Sequence, residues 1–85
     1  MKVIFFKRLA DVPDGATKLS LKAREFRRIM SQINRGEVQE LYIPPNMVEG
    51  YCLPLDCEVE FRGEFTQREQ AQAMGRFKRE RLAAA

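Results

Sequence analysis

A chain of 85 residues, 45% apolar and 32% charged, has room for one domain that buries about 60–65% of the surface its unfolded form exposes, and for no second lobe. It carries no histidine, which removes the commonest general acid/base and a leading metal ligand, and its two cysteines would need carboxylates to complete a structural zinc site. The formal charge of +3 excludes little, because the charge is arranged in blocks: nine Lys/Arg against three Asp/Glu in residues 1–36, one against seven in 37–65, and five against two in 66–85.

The chain opens on KVIFF, residues 2–6, a β-rich apolar run that predicts a short strand buried on both faces. MKVIFF lacks the long apolar stretch and small-residue cleavage site of a signal peptide, and no run approaches the ~20 apolar residues that span a bilayer. The expected location is therefore the cytoplasm, with Cys52 and Cys57 reduced and half-buried. DVPDG, residues 11–15, is turn chemistry: Pro13 pre-sets φ, and Gly15 tolerates a positive one.

A helix is predicted next, from an N-cap at Ser20 to a left-handed C-terminal cap at Gly36. Ala23, Phe26, Ile29, Met30 and Ile33 fall on one face at helical spacing. Arg24, Arg28, Ser31 and Arg35 occupy the opposite face, with Arg27 at its margin. VQELYI, residues 38–43, reads as a second strand stopped by Pro44 and Pro45. Residues 46–50 read as a loop or tight turn, and 51–55 are expected to extend the following strand or to make a strand of their own at a sheet edge, because Pro54 lacks a donor. CEVEFR, residues 57–62, alternates cleanly, placing Cys57, Val59 and Phe61 opposite Glu58, Glu60 and Arg62.

Thr66 begins a capping box, TQRE, with Glu69. The helix that follows is expected to run from Gln67 to about Leu82, with an imperfect apolar face of Ala71, Met74, Phe77 and Leu82. The β-α-β-β-α order predicts a small α+β domain over residues 1–82, its helices packed on one face of a three- or four-stranded, mainly antiparallel sheet, with residues 83–85 a frayed tail.

No catalytic constellation emerges. The serines, threonines and cysteines have no histidine to activate them. Asp56, Glu58 and Glu60 lack the spacing of a metal-dependent nuclease cluster, and they read as a solvated strand face that discourages edge aggregation. No glycine-rich phosphate loop is present. Neither a cofactor nor a metal is expected, and the protein is expected not to be an enzyme.

The expectation that remains is a small binding or regulatory protein. Arg24, Arg27, Arg28 and Arg35, supplemented by Arg76, Lys78, Arg79 and Arg81 on the last helix, form basic faces suited to the phosphate backbone of nucleic acid, since the guanidinium fork pairs with phosphate and stays charged. The alternative is a phage-type inhibitor or adaptor that blocks a larger protein, adding apolar contact through Met47, Val48, Tyr51 and Leu53 in the proline-rich loop. A third reading makes the acidic central block the arginines' partner, within the chain or across a homodimer that joins basic helix to acidic strand.

Overall fold

The computed structural model describes residues 1–20, 22–44 and 57–76 in full, together with the backbone of 51–54 and 77–80. Strand β1 (Lys2–Phe6) leads through a 3-10 turn (Leu9–Asp11) to the two-residue strand β2 (Thr17–Lys18), then to helix α1 (Ala23–Asn34) and strand β3 (Glu40–Ile43). Strand β4 (Tyr51–Pro54), strand β5 (Glu58–Arg62), helix α2 (Gln67–Gly75) and strand β6 (Phe77–Glu80) complete the order.

Four strands form one sheet in the order β2-β3-β1-β5, and every pairing in it is parallel. This overturns the expected antiparallel sheet. The connections explain the outcome: antiparallel neighbours are joined by tight hairpins, whereas β1 reaches β3 through residues 7–39, which include a helix, and such a crossover delivers its strand parallel. The apolar runs already carried that signal, because strands covered on both faces read as near-continuous hydrophobic stretches. In the central strand Val3 and Phe5 are buried on one face, and Ile4 and Phe6 on the other.

Both helices pack on the Val3 face. Ile29 and Ile33 of α1 and Ala73 of α2 join Val3, Phe5, Leu41 and Ile43 in one cluster, with Phe26, Met30, Val59, Phe61 and Met74 around it. Phe5 stacks on Phe61 at 5.1 Å between centroids, and Phe61 meets Phe65 at 5.2 Å in a tilted pair. On the other face Ile4, Phe6 and Tyr42 are covered by Val12 and Ala16 from the loop after β1. That loop turns at Pro13 to Ala16, where the Ala16 N–H donates to the Pro13 carbonyl at 3.2 Å and Gly15 takes φ +79°.

The end of α1 follows expectation and its start does not. Gly36 takes φ +71°, while its N–H donates to the Ile33 carbonyl and the Glu37 N–H to the Gln32 carbonyl, which is the paired arrangement of a Schellman cap. The N-cap is Lys22 and not Ser20, and no side chain caps this end. Ser20 instead accepts from the Lys22 N–H at 3.3 Å. Thr66 and Glu69 form the full capping box, each side chain accepting from the other's backbone N–H at 3.1 Å.

Helix α2 ends at Gly75, well short of Leu82, and residues 77–80 run as a strand parallel to β4 in a separate two-stranded sheet. Glycine is a poor helix former, and the apolar arc has already failed around it. Ala73 and Met74 make the core contacts, while Ala71, expected on the apolar face, is exposed. Tyr51–Pro54 is thus a strand of its own, paired away from the main sheet. Leu82 and the tail at 83–85 lie outside the described residues.

Candidate binding surface

The arginine face is built by the periodicity of α1. Seating Phe26, Ile29 and Ile33 on the sheet turns Arg24, Arg28, Ser31 and Arg35 toward solvent, and these, with Arg27, are all exposed. Arg35 donates to Glu37 at 3.0 Å across the helix end, with both side chains more than half exposed. Among the described residues, no ion pair or hydrogen bond engages the side chain of Arg24, Arg27 or Arg28.

The acidic strand lies on the other side of the sheet. Glu60 of β5 receives Lys2 at 2.9 Å and Arg62 at 2.7 Å, and Arg62 also donates to the Tyr42 hydroxyl at 2.8 Å with its guanidinium 5.4 Å from that ring. The hydrogen bond from Lys2, and then that from Arg62, holds the Glu60 carboxyl below the usual carboxylate range. Glu60 raises Lys2 and Arg62 in return, and Glu40 and Glu58 on the flanking strands add to the effect on Lys2. Within one chain Glu60 is therefore answered by Lys2 and Arg62, and the sheet separates it from the α1 arginines.

The remaining expected contacts do not assemble into a second basic helix face. Arg76 caps the end of α2 and is half-buried. Lys78 and Arg79 belong to the backbone of β6, not to a helix. Tyr51 and Leu53 belong to the backbone of β4. The side chains of these four strand residues, and all of Arg81, Met47 and Val48, lie outside the described residues. Cys57 is buried, more than the half-burial expected.

A cavity of about 450 Å³, unexpected from the sequence, lies at the C-terminal ends of β1 and β3, lined by Phe6, Leu9, Leu19 and Pro44 with Lys7, Lys18, Ser20 and Glu25. Open parallel sheets place ligand sites at this edge, so recognising the parallel topology was the signal that would have found it. Lys7 is committed elsewhere: its ammonium pairs with Glu69, donates to the Glu64 carbonyl at 2.6 Å and sits 4.8 Å from the Phe65 ring centroid. Leu9 on the rim is 71% exposed.

Among the described residues no three metal-ligating side chains converge, and no helix is long and apolar enough to cross a membrane. No family model, curated protein or solved structure matches the chain.

Proposed function

We propose that this chain is a small non-catalytic binding protein that engages the phosphate backbone of nucleic acid through the outward face of α1, with Arg24, Arg27 and Arg28 as the contacts. One observation carries the reading: these three arginines are exposed and unengaged among the described residues, on the side of the sheet away from the acidic strand. Arg24 and Arg28 stand four residues apart on one helix and repel each other by a few tenths of a kcal/mol, which an anion between them relieves. Phosphate suits the planar guanidinium better than it suits lysine. Neutralising about three phosphates gives a salt slope near −3 on duplex DNA, with dissociation constants in about the 10⁻⁴ to 10⁻⁶ M range of backbone binding near physiological salt.

Titration against short duplex and single-stranded DNA and RNA, at low and near-physiological salt, tests the proposal. The expected outcome is binding that weakens steeply with salt and disappears in Arg24→Glu/Arg28→Glu, whose circular dichroism stays that of the parent because neither side chain supports the core. Absence of binding at low salt sinks it. A second reading, an inhibitor or adaptor directed at a protein, draws support from Leu9, a large apolar side chain exposed on the rim of the cavity. Leu9→Glu leaves nucleic-acid binding intact and abolishes capture of a protein target if that second reading is the correct one.

A further inference from the structure

The main sheet has two edges of very different kind. At one edge stands β2, only two residues long, too short to template another strand. At the other stands β5, five residues without proline. The Glu58 N–H donates to the Met1 carbonyl at 3.1 Å, and the parallel register with β1 continues through Arg62. Backbone groups alternate in direction along a strand, so Glu58, Glu60 and Arg62 direct theirs toward β1 while Val59 and Phe61 direct theirs away. Among the described residues nothing pairs with those outward N–H and C=O groups.

We propose that β5 is a self-complementary interface, pairing antiparallel with β5 of a second copy of this chain about a twofold axis at Glu60. The sequence EVEFR fits its own inverted copy. Glu58 falls opposite Arg62 of the second copy, and Val59 opposite Phe61, at both ends of the pair. Val59 and Phe61 are the residues with outward backbone groups, so the register closes four N–H to C=O hydrogen bonds, and Glu60 meets its counterpart at a position without such bonds. Opposite charges and a β-branched residue against an aromatic are favourable cross-strand pairs. Val59 and Phe61 are half-buried on the helix side, so pairing covers apolar surface there.

The central pair of like charges opposes association. Each Glu60 carboxylate is, however, already held by Lys2 and Arg62 of its own chain. A register shifted to centre on Phe61 draws Gly63 into the pairing, and Gly63 at φ +103° has left the extended conformation. Centring on Glu60 uses all five residues of β5 and none beyond. Because the axis stands perpendicular to the sheet, both α1 helices finish on the same side, and the dimer presents two arginine faces in one direction. The interface itself does not depend on what those arginines bind.

Sedimentation equilibrium of the unmodified chain from low micromolar to millimolar concentration is expected to show the mass rising from one chain to two. Glu58→Arg, at an exposed position outside the core, sets like charges opposite Arg62 twice and shifts the dissociation constant up by about tenfold. Cysteine cross-linking in a Cys52→Ser background reads the register. Glu60→Cys places two Cα atoms about 4.5 Å apart, within disulfide reach, whereas Glu58→Cys leaves them about 14 Å apart. The expected result is a linked dimer from the first variant, mapped to position 60 in both chains, and none from the second. A monomer at every concentration, or equal linking from both positions, overturns the proposal.

Discussion

Tyr42 shows how much a single side chain can hold on the sheet face that no helix covers. Its ring closes the small cluster with Ile4 and Phe6, and its hydroxyl accepts from Arg62 at 2.8 Å. Tyr42→Phe keeps the ring and removes the acceptor, so it should cost about 1 kcal/mol in urea unfolding. Glu60 and Glu69 set the acid response. Both carboxyls sit below their ordinary value of 4.5, Glu60 through Lys2 and then Arg62, Glu69 through Lys7 and then the Thr66 N–H. Between their folded and unfolded values the unfolded chain binds more protons. The stabilisation is therefore complete above the unfolded value and lost as pH falls through the folded ones. The urea midpoint is expected to drop as pH falls below the ordinary carboxylate value of 4.5, and Glu60→Gln should flatten part of that slope while lowering the neutral-pH plateau. The Lys2–Glu60 and Lys7–Glu69 partnerships could not be read from local pattern, because about sixty residues separate their members in the chain.

At the level of the elements, the two helices rest on different support. Helix α1 has a twelve-residue amphipathic run and a Schellman cap, and it is held by burial. Helix α2 has nine residues, of which Ala73 alone is buried, and isolated helices of this length are marginal in water. Its N-terminal box therefore matters more. Thr66→Ala removes the acceptor for the Glu69 N–H and is expected to cost about 1 kcal/mol, with hydrogen exchange accelerating first in residues 67–75, measurable by amide exchange. The box was legible because it is contained in four consecutive residues. The end of the helix was not, since the spacing of Met74, Phe77 and Leu82 tolerates a helix while Gly75 and the pairing of β6 with β4 oppose one. Likewise α1 was legible from its apolar spacing, whereas the placement of its N-cap depends on how the chain leaves β2.

For the molecule as a whole, β1 is the organising element, flanked by β3 and β5 and covered on both faces. Phe5 in this strand is buried and stacked on Phe61. Phe5→Ala should cost about 3–5 kcal/mol, comparable to the lower end of total domain stability. The expected outcome is a sharply lowered thermal midpoint or loss of a cooperative transition in calorimetry. Charge is also distributed at this scale: the parallel topology puts the acidic face of β5 beside Lys2 and leaves the exposed arginines of α1 on the far side of the sheet.

The parts that could be read directly from the amino acids are those governed by neighbours a few positions away: a strand in KVIFF, an amphipathic arginine helix, alternation in EVEFR, and the Thr66 capping box. Periodicity and capping are local physics, and these four survived folding, whereas the Ser20 cap and the helix beyond Gly75 did not. Strand direction, the separation of acid from arginine, the cavity at the strand ends and the placement of β5 at an edge of the sheet among the described residues all arise from contacts between segments distant in sequence. Local propensity is nearly silent about such pairings, because the same apolar run can be buried in either direction, and only the long connections between strands select the parallel one.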